Sequence, residues 1–270
     1  MAILTSRAAG VILQGPRLRP LSSFSCRRTV APSRRLLRSG QLSRVPAMRC
    51  ASSASSGGPK YEALLLDVGG TLLETSRPVP EIYASFGEKY GVKVTPDDIK
   101  KGFRKAFAEP WPERLRYEGN GKPFWRYAIT TATGCSDDAY FEELYQHFAK
   151  GSAWKVAEGA TEGLVQLRNA GVKLAVVSNF DSRLRPVLQD LQVYSLFDSI
   201  IVSSEVGFEK PAPEIFEAAL KELKVGAQDA VHVGDDATND KAGALAIGIE
   251  SWLWKKDVKT FQEIVDRILP

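Results

Sequence analysis

Short apolar runs, most of them stopping at a polar residue, recur through residues 60–270, with helical patterns between them. Tyr61-Glu-Ala-Leu-Leu-Leu-Asp67 is followed by Gly69-Gly70, and Val172-Lys-Leu-Ala-Val-Val-Ser178 by Asn179. Asp198-Ser-Ile-Ile-Val202 is a third run, Ala230-Val-His-Val-Gly234 runs into Asp235-Asp236, and Gly248-Ile-Glu-Ser-Trp-Leu253 is a fifth. Apolar runs this short, bounded by turn residues, read as buried strands. Helical patterns fall at about 159–170, 182–192, 212–224, 239–247 and 258–268. Gly171, Gly226 and Gly248 sit at or near helix ends, where a left-handed C-cap requires glycine. Alternating strands and helices predict an α/β fold: a Rossmann-like parallel sheet with helices on both faces. Such sheets bind ligands at the carboxyl ends of their strands. Asp67, Ser178, Asp235 and Asp236 fall at those ends.

Residues 75–155 break the rhythm. They carry helical patterns around 79–90, 96–108, 123–133 and 137–149, with a Pro- and aromatic-rich connector over Glu109–Tyr117. The expectation is a core of residues 60–74 and 156–270, interrupted by a helical cap over 75–155 that is long enough to form a lid. Trp111, Phe124 and Trp125 read as the cap's own core, with a substrate wall as the other reading. Arg104, Arg114, Arg116 and Arg126 read as solvated, and one of them could reach an anionic substrate. His147 is expected on the surface, His232 in the core, and Trp252 and Trp254 as packing near the last strand.

The formal charge of +4 is unevenly distributed. Residues 1–59 hold ten of the 36 basic residues, all Arg, and none of the 32 acidic ones. The remaining 26 basic residues face 32 acids, so the body carries −6. A basic patch with interleaved aromatics is missing from the body, so nucleic acid is not an expected partner. Apolar runs fall far short of the ~18 residues of a membrane span, so no membrane association is expected. The head is Arg-rich, Ser-rich and acid-free, the composition of an organelle transit peptide. Val45-Pro-Ala-Met-Arg-Cys-Ala51 resembles a plastid cleavage region, which points to the chloroplast, with the mitochondrion as the alternative. The three cysteines include no CxxC pair and no Cys/His zinc spacing, so no disulfide framework is expected, and with two histidines neither a His-based triad nor a His-rich metal site is expected.

Four local features stand in order: Asp67-Val-Gly-Gly-Thr71, Ser178-Asn179, Lys210 in Glu209-Lys-Pro-Ala-Pro213, and Gly234-Asp-Asp-Ala-Thr-Asn-Asp240. Asp67, Ser178, Lys210 and Asp235 are separated by 111, 32 and 25 residues. Taken singly, Asp67 could be a strand-end turn residue, Ser178-Asn179 a turn, Lys210 a surface lysine, and the three later acids helix-start residues that favour the dipole. Together they closely resemble the haloacid dehalogenase-like (HAD) hydrolase superfamily, in its plant-type members most of all, over residues 60–268. The resemblance implies a cap of the C1 type and a small soluble substrate beneath it. It implies that Asp67 is the nucleophile, that Ser178 grips the phosphate or leaving group, and that Lys210 neutralises charge. It implies that Thr71 and Asn179 bind substrate. It also implies that Asp67, the Gly69 backbone carbonyl, Asp235 and Asp240 hold Mg²⁺, with Asp236 as a supporting group or alternative ligand. A carboxylate attacking a phosphate dianion needs its repulsion screened, and a lysine with a hard cation supplies that.

One position departs from the family. Its phosphatases carry a second aspartate two residues after the nucleophile, which protonates the leaving group; here that residue is Gly69. General acid catalysis is worth roughly 10²–10⁴ in rate, so alkyl phosphates should suffer more than acyl or aryl phosphates. The expectation is an Mg²⁺-dependent phosphohydrolase that acts on a small phosphorylated metabolite through an aspartyl-phosphate, weakened at this step. The alternatives are a non-catalytic binding or regulatory relative, which Gly69 favours, and a metal-independent dehalogenase, which needs no proton donor.

Overall fold

The five apolar runs pair as one parallel sheet. A computed structural model describes residues 57–111 and 115–270. The expected transit segment therefore lies outside the described residues except for its last three positions, and Arg114 lies outside them too. The strands are β1 (Ala63–Leu66), β2 (Leu73–Thr75), β3 (Trp154–Val156), β4 (Lys173–Ser178), β5 (Ser199–Val202), β6 (Ala230–Gly234) and β7 (Glu250–Leu253). The main sheet has the order β5-β4-β1-β6-β7 with every pairing parallel. β2 and β3, which the sequence patterns do not signal, form a separate antiparallel pair with Leu73 opposite Val156.

Between β2 and β3 the chain is helical: α1 (Val79–Gly87), α2 (Pro96–Ala108), α3 (Lys122–Thr133) and α4 (Asp138–His147). Local signals set these helices. Thr95 accepts the Asp98 N–H at the start of α2, and Asp137 accepts the N–H groups of Ala139 and Tyr140 at the start of α4. Their apolar faces build a core of their own that includes Tyr83, Phe103, Phe124, Trp125, Tyr140 and Leu144. Tyr140 donates to the Tyr83 carbonyl at 2.9 Å, so the phenol is satisfied where it is buried. Phe124 and Trp125 belong to this core as expected, and Trp111 packs against it. His147 departs from expectation: it is half-buried, its ring lies against Phe86 and Phe148, and its Nε2 is buried without a partner among the described residues.

The remaining helices are α5 (Ala160–Asn169), α6 (Leu184–Asp190), α7 (Ser203–Val206), α8 (Pro213–Leu223), α9 (Gly243–Ala246) and α10 (Phe261–Ile268). Strand periodicity divides the sheet's side chains between two layers. Leu64 and Leu66 face a core shared with Leu164, Leu184, Phe261 and Ile264, from α5, α6 and α10. Ala63 and Leu65 face the other side with Ile215, Phe216 and Ala244, from α8 and α9. Both faces are covered, so the strands read as continuous apolar runs. Each fully buried Leu contributes on the order of 1.5–3 kcal/mol. Trp252 and Trp254 are buried near the last strand, as expected.

The cap glycines are a partial match. Gly171 and Gly248 have φ of +88° and +84°, but Gly226 is extended at −76°. Lys224 (φ +56°) takes the left-handed position after α8 instead, and its N–H reaches back to the Leu220 and Lys221 carbonyls. No helix among the described residues is long and apolar enough to cross a membrane.

Candidate active site

β4, β1 and β6 are adjacent and parallel, so the residues that follow their last positions meet at one edge of the sheet. Asp67 leaves β1 still in the ladder: its N–H donates to the Val233 carbonyl at 2.9 Å. The chain then turns sharply. Gly70 adopts φ +86°, which an L side chain resists, and its N–H donates to the Leu73 carbonyl. The turn brings the buried Thr71 hydroxyl back to Asp67 Oδ2 at 3.3 Å.

Lys210 reaches this point from the loop before α8. Its Nζ donates to Asp67 Oδ1 and to Asp240 Oδ1, both at 2.6 Å, and the side chain is 3% exposed. Far from being a solvated lysine, it is the charge at the centre of the cluster. Asn179 fixes its backbone: the amide oxygen accepts the Lys210 N–H at 2.7 Å, and Nδ2 donates to the Lys210 carbonyl at 2.9 Å. The amide expected to touch substrate thus spends both ends on holding Lys210. Ser178 closes β4 and is buried, and its hydroxyl makes no hydrogen bond to Asp67, Lys210 or Asp240.

The three later acids divide their tasks. Asp236 caps the turn after β6 and accepts the N–H groups of Thr238 and Asn239. Asp240 is held by three donors: Oδ1 takes Lys210 and His232 Nε2 (2.9 Å), and Oδ2 takes the Asp236 N–H (2.9 Å). Gly234 makes that placement possible, because a Cβ there would lie 2.2 Å from the Asp240 Cγ. Asp235 is the opposite case, with Oδ1 buried and without a partner among the described residues.

Asp67, Asp235 and Asp240 can each offer a carboxylate oxygen within 4.8 Å of the others. An all-oxygen set with one orphaned carboxylate oxygen fits a hard divalent cation. Because Asp240 is already bonded to three donors, Asp67 and Asp235 are the freer ligands. The Gly69 carbonyl is in the same turn, where Gly69 bridges to Leu73.

Titration behaviour follows from burial and charge. Burial, with the negative Asp67 beside it, pushes the Asp235 carboxyl up to about 8. Burial also raises Asp67, beyond what Lys210 can offset. Asp240 is equally buried, but Lys210 and His232 together more than offset that and hold it well below the usual carboxylate range. Burial opposes the charge on Lys210, yet Asp240 and Asp67 keep it above the ordinary lysine value.

Three contributors are not marked by the motifs. His232 sits under Asp240. Glu209, next to Lys210, accepts the backbone N–H groups of Arg116 and Tyr117 at 2.6 and 3.4 Å and lies 3.6 Å from the Arg116 guanidinium. Arg116 is therefore paired, and not freely solvated as expected. Asp181 is fully buried and accepts from Trp125 Nε1 at 2.9 Å and from Arg183. The loops that carry Asn179 and Lys210 thus each send a carboxylate to the helical segment. Position beside a motif residue was the only signal for Glu209 and Asp181.

The comparisons with known proteins agree with this geometry. The profile of the haloacid dehalogenase-like hydrolases matches residues 61–248. The chain is 33% identical to the human haloacid dehalogenase-like hydrolase domain-containing protein 3 over 201 residues, 70% of this chain and 80% of that protein. Among solved structures it resembles a Bacillus subtilis HAD-hydrolase bound to magnesium, with a TM-score of 0.60 and 22% identity over 74% of this chain and 91% of that one. It also resembles the L-2-haloacid dehalogenase of Xanthobacter autotrophicus, with a TM-score of 0.57 and 20% identity over 71% and 76%. With the fold, the cluster and the profile in agreement, the chain belongs to the haloacid dehalogenase-like hydrolase family.

Proposed function

We propose that this chain is an Mg²⁺-dependent phosphohydrolase acting on a small phosphorylated metabolite, with Asp67 as nucleophile. The observation that supports this best is the lysine shared by two carboxylates, 2.6 Å from each, beside an Asp235 oxygen that lacks a partner. A pure scaffold has no need of a buried charge cluster left one partner short. Asp67, Asp235 and the Gly69 carbonyl would hold the cation, which supplies charge neutralisation at the phosphoryl oxygens.

In the first step an Asp67 carboxylate oxygen bonds to phosphorus. The bond from phosphorus to the leaving oxygen breaks, and that oxygen departs with the electron pair. Thr71 and Lys210 orient the carboxylate. In the second step water attacks the phosphorus of the aspartyl-phosphate, releasing inorganic phosphate and restoring Asp67. Ser178, the last residue of β4, is assigned the grip on the phosphoryl group. The helical segment acts as a cap, and its contacts with Glu209 and Asp181 couple it to the two loops of the site.

Gly69 has no side chain to protonate the leaving oxygen, so acyl and aryl phosphates are the favoured substrates. The same residue supports a second reading, a phosphometabolite-binding relative without turnover. A metal-independent dehalogenase is disfavoured by the intact acidic set. The test is hydrolysis of an aryl phosphate, an acyl phosphate and sugar phosphates with Mg²⁺ and with EDTA, using Asp67→Asn as the blank. Mg²⁺-dependent turnover lost in the variant supports the phosphohydrolase. No turnover above the blank leaves the binding reading.

A further inference from the structure

His232 lies outside the four motifs, and its surroundings are unusual for an imidazole. It belongs to β6, whose Val231 and Val233 face one apolar layer. His232 points into the other layer, where its ring meets Phe216 edge-on with centroids 5.2 Å apart. It is completely buried. An aliphatic side chain would pack in that layer without the cost of desolvating two ring nitrogens.

Among the described residues the ring makes one hydrogen bond, from Nε2 to Asp240 Oδ1 at 2.9 Å, and Nδ1 has no partner. A carboxylate can only accept, so Nε2 carries the proton toward Asp240 and the ring serves as a donor there.

We propose that His232 is a positioning residue for Lys210, acting through Asp240. The proposal rests on the phosphohydrolase reading only for its kinetic consequence. Asp240 Oδ1 holds two donors, and the Asp236 N–H fixes Oδ2. Those three bonds set the rotation of the carboxylate. Lys210 follows Asp240 Oδ1, so the rotation sets where Lys210 meets Asp67. Without the Nε2 donor, Asp240 can turn on its remaining bonds and take the ammonium with it.

The test compares His232→Gln, His232→Asn and His232→Leu in the full chain. A Gln amide nitrogen reaches the place of Nε2, an Asn amide falls short of it, and Leu fills the volume with no donor. One readout is kcat and KM for an aryl phosphate. The other is the ¹⁵N–¹H signal of the Lys210 ammonium, assigned by its loss in Lys210→Met, together with thermal melts. Removing a group that orients a site residue typically costs about 10–100-fold. His232→Asn and His232→Leu are expected to lose that much in kcat at little-changed KM, and to shift or broaden the Lys210 signal. His232→Gln should restore both. If His232→Leu keeps wild-type kcat and an unshifted Lys210 signal, or if Gln and Leu fail alike while melting normally, the proposal is overturned. If the wild type hydrolyses nothing, the phosphohydrolase reading fails, and the Lys210 signal alone decides the role of His232.

Discussion

The amide of Asn179 brackets the backbone of Lys210, accepting its N–H and donating to its carbonyl across 31 residues of sequence. The loop after β4 and the loop before α8 are thereby locked as one piece. The lysine that bridges Asp67 and Asp240 is placed by a neighbour's side chain as much as by its own loop. This is the kind of supporting contact that holds a reactive constellation within fractions of an ångström.

Asn179→Ala should therefore destabilise the fold and disturb Lys210 together. It leaves a part-buried N–H and C=O without partners, a loss of about 1–3 kcal/mol. Asn179→Asp should be the harsher change, because it sets a carboxylate oxygen against the Lys210 carbonyl. Urea denaturation at fixed pH ranks the three proteins. Equal stability would mean that the clamp is dispensable.

Gly234 has no room for a methyl group. A Cβ there would sit 2.2 Å from Asp240 Cγ and 2.5 Å from its Oδ2. Gly234→Ala should displace Asp240, with an overpacking cost of about 1–3 kcal/mol. Any Mg²⁺-dependent activity should fall along with it. Isothermal titration with Mg²⁺, paired with urea denaturation, separates a lost site from a lost fold.

The sheet was legible because parallel strands covered on both faces leave unbroken apolar runs, so Ala63–Leu66 and Lys173–Ser178 fall within a residue or two of expectation. β2 and β3 were not legible. Leu73–Thr75 and Trp154–Val156 are three residues each, too short to show a period, and they pair only because the helical segment returns the chain to its starting point. Lys224 takes the left-handed position because α8 ends at Leu223, before Gly226 is reached, and the Lys224 N–H satisfies the Leu220 and Lys221 carbonyls; a nearby glycine was a weak local cue. Within the site, the motif residues were visible as strand-end acids and hydroxyls. Their supports were not. His232 reads as one more residue of an apolar strand, and the contact of Glu209 with Arg116 spans 93 residues.

Stability without a cation should fall as pH rises. The Asp235 carboxyl titrates at about 8 in the folded protein but near 3.8 when solvated. Between those values the folded chain holds a proton that the unfolded chain has released, so raising the pH favours unfolding. Asp67, raised in the same direction, adds to the slope. Asp240 is lowered, so its opposite contribution lies below the ordinary carboxylate value. Mg²⁺ should flatten the decline, because it binds the deprotonated carboxylates. Thermal melts from pH 5 to 8.5, with EDTA and with Mg²⁺, test this; Asp235→Asn should flatten the EDTA curve. A slope that survives in Asp235→Asn would place the titrating group elsewhere.

Gly69→Asp is the decisive substitution for the chemistry. Gly69 is absent from the residues of positive φ, whereas Gly70 adopts +86°, so the backbone at 69 accepts an L side chain and that at 70 does not. The new carboxyl would stand two residues beyond Asp67, where it can protonate a departing alkoxide and later take a proton from the attacking water. General acid–base catalysis is worth roughly 10²–10⁴, and an alkoxide needs the proton far more than a phenolate or carboxylate does. Turnover of sugar phosphates should thus rise by on the order of 10²-fold or more, while aryl phosphate turnover changes little. The ratio of the two kcat/KM values measures this without reference to enzyme concentration. An unchanged ratio in a folded, Mg²⁺-binding variant would mean that proton donation is not what limits this site.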